Sequence, residues 1–283
     1  MIRWLSFTLL LISGCAALGG VSDGTSLAYG SHNSGILLRP VRLPSQGEGY
    51  RIPPKWVQRG NSFGTEELVA LIVYAARRVH AEFPGSTLYV ADLSPQHGGS
   101  SHWHRSHQNG RDADLLFFTT NDHGKNAPLP SGMTHFRVDG VAATSQPLHG
   151  LSFDLPRNWA LVRALVESPE VEVQYIFVSA PIRELLLSYA IQQGDPAEIV
   201  ARADAVLHQP EDSRPHDDHF HLRIHCPRSD RFLGCMESGP LRWLKKTYKY
   251  SLMLALDHFL TPLRALALRP FCQFLSSAVV ALR

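Results

Sequence analysis

Histidine and aspartate side chains that could hold a metal ion are concentrated in two short segments of the chain. The first segment reads His102-Trp103-His104-Arg105-Ser106-His107-Gln108-Asn109-Gly110-Arg111-Asp112-Ala113-Asp114. Asn109-Gly110 is a tight-turn signal, so the chain reverses between His107 and a strand that begins near Asp112. Alternation along that strand puts Asp112 and Asp114 on one face beside apolar residues, where an unpaired carboxylate is costly. A metal ion would offset this cost, and the turn brings His107 to the same point.

The second segment reads His216-Asp217-Asp218-His219-Phe220-His221-Leu222-Arg223-Ile224-His225. Its polar and apolar residues alternate with a period of two, which predicts a strand. His219, His221 and Arg223 then share one face, while the apolar residues between them share the face that packs on the core. The polar face therefore presents two imidazoles to whatever lies opposite.

Together the two segments predict a zinc centre with His107, Asp114 and His221 as ligands. Catalytic zinc sites use three protein ligands and keep a fourth position for water, whose pKa the bound zinc lowers to about 7. His219 lies two residues from a ligand on the same face, so it is placed to act as the catalytic base. His104 is either an additional metal ligand or a residue that supports the ligands.

The alternative is that these histidines have no ligand and are ordinary side chains, either hydrogen-bonded within the protein or exposed to solvent. The metal site is favoured over that alternative, because the residue spacing in each of the two clusters brings several side chains together. Direct roles for Asp112, His216 and His225 stay open. Five further histidines lie in predicted loops and are expected to be exposed: His97, His102, His123, His135 and His149. Their number keeps open a second class of function, a non-catalytic lipoprotein that buffers zinc or binds the cell wall.

Two other hydrolase signatures are absent from the sequence. It contains no His-Glu-x-x-His and no Ser-x-x-Lys motif. These are the patterns of common zinc peptidases and of acyl-enzyme penicillin-binding enzymes respectively.

The elements that must position the two clusters indicate an α+β domain over residues 31–248, built from a compact antiparallel sheet with flanking helices and carrying the zinc site on the sheet. Thr65 is a predicted N-cap for the first long helix. The predicted helices cover residues 65–83, 158–168, 182–193 and 197–207, and the predicted strands cover residues 88–91, 112–118, 175–179 and 220–224.

The composition indicates a globular protein with no electrostatic preference for nucleic acid. Of its 283 residues, 44% are hydrophobic and 18% are charged, which excludes wholesale disorder. Lys and Arg number 27 and Asp and Glu 25, so the formal net charge is only +2. Nucleic acid is therefore not an expected partner, and the sequence does not reveal the oligomeric state.

Residues 1–15 have the layout of a secretory signal, with a basic start, a short apolar run and small residues before Cys15. Leu11-Ile12-Ser13-Gly14-Cys15 also resembles a bacterial lipobox, in which Cys15 is lipidated. A plain signal cut near Ala16 or Ala17 is the alternative, and we favour lipidation. We expect a periplasmic protein held at the outer membrane by this lipid, with residues 16–30 as a flexible tether.

The remaining cysteines and the C-terminal segment give two further predictions. Cys226 and Cys235 flank a short loop and read as a disulfide in an oxidising compartment, while a zinc pair would lack its second half. Residues 249–283 are apolar but interrupted by Pro262 and Pro270, which predicts a hydrophobic helical tail. Helices packed on the domain are favoured over an interfacial membrane helix with Arg264 and Arg269, because the charges do not segregate onto one face.

The motifs resemble those of a known family of zinc peptidases. Ser106-His107-Gln108-x-Gly110-x-Asp112-x-Asp114, followed by His219-x-His221 and His225-Cys226-Pro227, resembles the penicillin-insensitive murein endopeptidases. That family belongs to a wider group with His-x6-Asp and His-x-His motifs, which includes D-alanyl-D-alanine carboxypeptidases and dipeptidases. The resemblance covers about residues 30–236.

The resemblance implies zinc held by His107, Asp114 and His221, with His219 as catalytic base and His104 matching a motif histidine. It implies a peptidoglycan substrate cut at the amide between D-alanine and meso-diaminopimelate. A zinc D,D- or L,D-carboxypeptidase acting on uncross-linked stems is the sibling alternative. The sequence departs from the family in its apolar tail, and in lacking a confident match for an Asp/His pair that some members carry between the two motifs.

Overall fold

The computed structural model describes residues 26–127, 132–143, 150–211 and 213–239. Within these ranges the chain forms thirteen strands and six helices. The strands are β1 (Leu27–Ser31), β2 (Ser34–Leu38), β3 (Val41–Arg42), β4 (Gln46–Gly47), β5 (Tyr50–Arg51), β6 (Phe63–Gly64), β7 (Leu88–Tyr89), β8 (Asp112–Leu116), β9 (Thr119–Thr120), β10 (Ser152–Phe153), β11 (Val173–Phe177), β12 (Leu207–His208) and β13 (His219–Ile224). The helices are α1 (Pro54–Arg59), α2 (Glu66–Glu82), α3 (Leu155–Val166), α4 (Ala180–Gln193), α5 (Ala197–Val206) and α6 (Arg228–Leu233).

The largest sheet has four strands in the order β12–β11–β13–β8. Strands β11 and β13 pair antiparallel, as do β13 and β8, whereas the edge strand β12 pairs parallel with β11. The α+β class and the antiparallel centre of the sheet are therefore confirmed. The parallel edge strand was not predicted. It is parallel because α4 and α5 connect β11 to β12, and a helical crossover of this kind lets the second strand run in the same direction as the first.

Strand β13 has the alternation that its sequence predicts. Phe220, Leu222 and Ile224 are completely buried in the main hydrophobic core. The Phe220 ring packs edge-to-face on Phe117 with ring centroids 4.7 Å apart. Because side chains alternate along a strand, the intervening residues His219, His221 and Arg223 lie on the opposite face.

Helix α2 covers the core through an apolar stripe and begins at the predicted cap. The Thr65 hydroxyl accepts a hydrogen bond from the Leu68 backbone N–H at 3.3 Å, and Glu66 and Glu67 lie in the first turn. Acidic residues at this end of a helix are favourable because they face the positive end of its dipole. Helices α2 and α3 pack on each other, and both contribute residues to the main core cluster.

The N-terminal hairpin begins inside the segment that the sequence assigned to the tether. Strand β1 pairs antiparallel with β2, from Leu27 opposite Leu38 to Ser31 opposite Ser34. Leu27 and Ala28 are buried, so the tether prediction for residues 16–30 is wrong at its C-terminal end. The polar and small composition of this region concealed a hairpin whose two-residue loop, His32-Asn33, suits a tight turn.

The predicted disulfide joins Cys226 to Cys235, with the two Cα atoms 6.0 Å apart. Both cysteines pack against Ala28 of β1 in a small separate cluster. The disulfide loop, which includes α6, therefore lies against the N-terminal hairpin.

Several sequence predictions concern residues outside the described ranges. These are the signal segment with Cys15, residues 16–25 of the tether, His149 and the tail at residues 249–283. Within the described ranges, no helix combines the length and the apolar character that spanning a membrane requires.

Candidate metal centre

Pairing of β8 with β13 brings the two sequence clusters to one face of the sheet. His221 lies directly opposite Asp114, and Arg223 lies opposite Asp112. Directly opposed residues of an antiparallel pair point to the same side, so all four side chains share the polar face. Asp112 and Asp114 are almost completely buried there.

His107 reaches the same point from the loop that precedes β8. Its backbone is in the left-handed region with φ of 64°, which is uncommon for a residue other than glycine. The ring is fully buried, and its Nδ1–H donates to the Leu93 carbonyl at 3.0 Å. In the neutral imidazole this leaves the Nε2 lone pair 3.3 Å from Asp114 Oδ1.

His221 has the opposite tautomer, fixed by a carboxylate behind it. Its Nε2–H donates to Asp112 Oδ1 at 2.7 Å, because a carboxylate can only accept. The other ring nitrogen, Nδ1, lies 3.6 Å from Asp114 Oδ1. Arg223 donates Nε–H to the same Asp112 oxygen at 2.6 Å. Asp112 therefore orients His221 and is itself held by Arg223.

His104 approaches Asp114 from the other side of the His107 ring. The two imidazoles are stacked with centroids 4.2 Å apart. His104 donates Nε2–H to Asp92 Oδ2 at 2.9 Å, and its Nδ1 lies 3.8 Å from Asp114 Oδ2. Asp92 also accepts a hydrogen bond from Arg59 Nη1 at 2.6 Å.

His219 completes the ring of imidazoles around Asp114. Its Nδ1–H donates to Asp218 Oδ1 at 2.6 Å, and its Nε2 lies 3.4 Å from Asp114 Oδ1. Each of the four histidines thus has one nitrogen held by a backbone or carboxylate oxygen and the other turned towards one aspartate. This is the arrangement in which metal-binding histidines are held, with the outer nitrogen fixing ring orientation and tautomer.

A divalent cation fits this donor set. Within the described part of the chain, neither His107 Nε2 nor Asp114 Oδ1 has a hydrogen-bond partner, although both atoms are buried. Buried polar atoms are almost always partnered, so these two atoms require an explanation. Imidazole nitrogens and a carboxylate oxygen are ligands that zinc accepts, and a shared cation would satisfy both atoms.

The centre contains two groups of three potential ligand atoms, and within each group the atoms lie no more than 4.8 Å apart. The first group is His104, His107 and Asp114, and the second is His216, His219 and His221. The ligand set predicted from sequence takes members of both groups. Its two histidines are in contact, since the rings of His107 and His221 have centroids 4.7 Å apart.

Burial and neighbouring charges shift the pKa values of these side chains in different directions. Burial opposes protonation of His219, but Asp114 and Asp218 outweigh it and raise its pKa to about 10. Burial lowers the pKa of His221 to about 3 despite its hydrogen bond to Asp112. Burial also opposes the charge on Asp114, yet His107 and His219 hold the pKa of that carboxyl well below its usual range. The neighbouring carboxylates therefore favour the protonated form of His219, whereas burial favours the neutral form of His221.

The other histidines in the described ranges lie outside the ring of imidazoles around Asp114. His216 packs edge-on to His219 at 5.0 Å, and burial followed by the charge of His219 lowers its pKa to about 4. His225 is directed away to Glu237, at 3.1 Å. The loop histidines His97, His102, His123 and His135 are exposed, as predicted. The His135 Nδ1–H donates a hydrogen bond to Asp217 Oδ1 at 2.6 Å.

Sequence reasoning missed the carboxylates that hold the imidazoles in place. Asp92 and Asp218 were not singled out, and the role of Asp112 was left open. Asp92 carried a usable signal, since it is a lone carboxylate directly after the predicted strand at residues 88–91, and a buried carboxylate needs a partner. Asp218 carried a weaker one, because Asp217 beside it is equally acidic and only the backbone decides which carboxylate faces His219.

The fold and the site together define an α+β protein whose central sheet carries a histidine–aspartate centre suited to a divalent metal ion. A family model described as penicillin-insensitive murein endopeptidase matches residues 28–242, which is most of the chain. The chain therefore belongs to the penicillin-insensitive murein endopeptidase family.

Individual relatives agree with this assignment at low identity. Proteins named penicillin-insensitive murein endopeptidase are similar to this chain in three organisms. The Haemophilus influenzae protein is 25% identical over 226 residues, covering 77% of this chain and 70% of the relative. The Klebsiella pneumoniae subsp. pneumoniae protein is 24% identical over 223 residues, covering 77% and 72%. The Pectobacterium atrosepticum protein is 27% identical over 220 residues, covering 76% and 70%.

Proposed function

We propose that this protein is a zinc-dependent endopeptidase that hydrolyses the D-alanyl–meso-diaminopimelate amide of peptidoglycan cross-links. The observation that carries the proposal is the convergence of imidazole nitrogens from His107, His219 and His221 on Asp114 Oδ1, at 3.3, 3.4 and 3.6 Å. The family and the printed names of its relatives supply the substrate part of the proposal.

The ligand assignment follows from which nitrogen of each ring carries a lone pair. His107 would bind through Nε2 and His221 through Nδ1, together with the carboxylate of Asp114. His104 would add Nδ1 as a further ligand, since its Nε2–H is committed to Asp92. Bound zinc would polarise the amide carbonyl and lower the pKa of water at the centre.

His219 is the base in this proposal. Its Nε2 faces the centre, and a proton accepted there can be returned to the leaving amine. The Asp218 carboxylate holds the ring through Nδ1 and stabilises the imidazolium that forms when Nε2 takes a proton. Zinc in contact with Asp114 would reduce the negative potential at His219, which brings its pKa down towards the range useful for a base.

Arg223 acts in this proposal as a positioning residue rather than as an oxyanion donor. Its guanidinium is tied to Asp112 and lies over the Phe177 ring, with Cζ 5.2 Å from the centroid. Asp112 in turn orients His221. Arg223 and Asp112 therefore together orient His221, one of the proposed ligands.

The proposed location is the periplasm, with the N-terminal lipid on Cys15 holding the protein at the outer membrane. A disulfide between Cys226 and Cys235 supports an oxidising compartment, because such bonds persist there and are rare in the cytosol. Peptidoglycan lies outside the cytoplasmic membrane, so the substrate and the location agree.

Digestion of purified cross-linked muropeptide dimers tests the proposal directly. The expected result is conversion of dimers to monomers, abolished by a chelator and restored by added zinc. Monomer stems that lose one terminal residue while dimers persist would instead indicate a carboxypeptidase. Binding to sacculi without any product at saturating zinc would contradict an enzyme altogether.

A further inference from the structure

Trp103 is an exposed aromatic residue in the loop that carries the candidate ligand His104. Its side chain belongs to the few large apolar groups at the described surface, with 54% of the residue accessible. The Ser101 hydroxyl accepts hydrogen bonds from the backbone N–H groups of both Trp103 and His104, at 3.1 and 3.3 Å. One hydroxyl therefore fixes the aromatic residue and the histidine together.

The Trp103 ring lies over the guanidinium of Arg59, whose Cζ is 4.0 Å from the ring centroid. Arg59 ends α1 and donates Nη1–H to Asp92, and the same Asp92 oxygen accepts from His104. The stacked pair is thus connected to the metal centre by one shared carboxylate. Contacts of 2.6, 2.9 and 3.8 Å join Arg59 to Asp114 through Asp92 and the His104 ring. At about 3.3–3.6 Å per extended residue, this path places the pair within about three peptide residues of the centre.

The charge around this pair is positive. Lys55 lies one helical turn before Arg59 on α1, with its Nζ 4.2 Å from the Trp56 ring centroid. Partial burial and then the charge of Arg59 lower the pKa of Lys55. Lys55 is therefore close enough to Arg59 for the two positive charges to interact. In the described residues Asp92 is the carboxylate that pairs with Arg59, and this bond uses one of its five N–H donors.

An arginine stacked beneath an exposed indole is pre-organised for a planar anion. Stacking holds the guanidinium in one plane, and its remaining donors match a carboxylate, while the indole edge covers the apolar part of the same ligand. Peptides of peptidoglycan carry carboxylates near their cross-links. A neutral sugar ring would use the indole but would leave the cations without a function.

We propose that Trp103 and Arg59 form a substrate subsite for a carboxylate-bearing peptide residue within about three positions of the amide that is cut. This inference rests on the proposed endopeptidase function and adds to it a preference for anionic peptide. Lys55 contributes to the positive potential of the subsite without a contact of its own being required.

The test uses two synthetic cross-linked peptides that differ only at these positions, one with carboxylates and one with carboxamides. We expect the zinc-loaded full-length protein to have a KM about tenfold lower for the carboxylate peptide, with similar kcat for both. Affinity of the metal-free protein for the same peptides, measured by calorimetry, is expected to show the same preference.

Variants separate the subsite from the metal centre. Trp103→Ala and Arg59→Gln are expected to remove the tenfold preference by raising KM for the carboxylate peptide, and Trp103→Phe to restore most of it. Ile191→Ala and Arg77→Gln, at exposed positions on α4 and α2, are the matched controls and should retain it. Metal content is measured in every variant, because Arg59 also contacts Asp92.

The outcomes distinguish the two proposals. Equal affinity of the wild-type protein for both peptides, or a preference that survives Trp103→Ala, would overturn the subsite. Failure of the wild-type protein to cut either peptide, while calorimetry still shows a carboxylate preference lost in Trp103→Ala, would refute the endopeptidase and support the subsite.

Discussion

His221 and Asp114 oppose each other across the β8–β13 pair, with His221 Nδ1 3.6 Å from Asp114 Oδ1. Register alone produces this relationship, since a slip of one residue would turn His221 to the core and bring Leu222 to the polar face. The core contacts of Phe220 and Leu222 therefore hold the candidate ligands in place. The packing of the apolar face and the placement of the candidate ligands therefore depend on the same strand register.

Replacement of His221 by alanine is expected to remove the metal and abolish activity. Loss of one of three or four protein ligands leaves the ion with incomplete coordination. Metal analysis of purified His221→Ala should show little bound zinc, and muropeptide digestion should be undetectable. His123→Ala, at an exposed loop position, is the control and should match the wild type. Full zinc occupancy in His221→Ala would show that the ligand set is wrong.

Replacement of His219 by alanine is expected to separate binding of metal from turnover. The ring is held by Asp218 and is the proposed base, so the variant should retain most of its zinc. Its kcat should fall by about 10²–10⁴-fold, the usual contribution of a general base. His97→Ala serves as the matched surface control. Normal digestion of cross-linked muropeptides by His219→Ala would refute the base assignment.

The site was predictable from sequence where local spacing determines geometry. Period-two alternation predicts that His219 and His221 share one face, as the strand pairing has them. The predicted turn at Asn109-Gly110 is a bend in the structure, and His107, which approaches Asp114, has left-handed backbone of its own with φ of 64°. The carboxylates that support the ligands were harder to predict from sequence, because Asp92 contacts His104 only through long-range packing of the loop before β8. A partner that depends on tertiary contact leaves no spacing in the sequence.

The elements of the fold were likewise predictable only where the local sequence carries a signal. Helix α2 carried its own start signal at Thr65 and an apolar stripe, so its position was predictable within a residue or two. Strand β1 carried neither, since Gly30 and polar neighbours resemble a linker. Its place is fixed instead by Ala28, whose N–H donates to Asp230 at 2.8 Å beside the disulfide.

Replacement of Asp112 by asparagine is expected to weaken zinc binding without removing it. The carboxylate accepts hydrogen bonds from His221 and Arg223, and a neutral amide would hold the His221 tautomer less firmly. Loss of such an outer contact typically costs about 10–100-fold in metal affinity. Competition with a chromophoric chelator measures the change, and Asp122→Asn at an exposed loop is the control. Unchanged affinity would mean that Asp112 has only a structural role.

Glu237 is expected to make stability depend on pH through contacts remote from the metal centre. Its Oε1 accepts from the Cys226 backbone N–H at 2.5 Å and from His225 at 3.1 Å, and lies 3.2 Å from Arg231. Burial raises the pKa of this carboxyl, but the bond to His225 and the charge of Arg231 outweigh it and hold the pKa below its ordinary value.

A carboxyl with a depressed pKa stabilises the folded state above its unfolded pKa of about 4.3, and this contribution is lost as the pH falls through the folded value. Glu237→Gln should therefore lower the free energy of unfolding by about 1–3 kcal/mol at pH 7, because a charged acceptor is lost. Urea titrations of wild type and variant at pH 7, 5, 4 and 3 measure the difference, with Glu48→Gln as an exposed control. The gap between the two proteins should be constant above about pH 5 and narrow below pH 4. A gap that stays the same down to pH 3 would mean that the ionised carboxylate is not what stabilises the Cys226 loop.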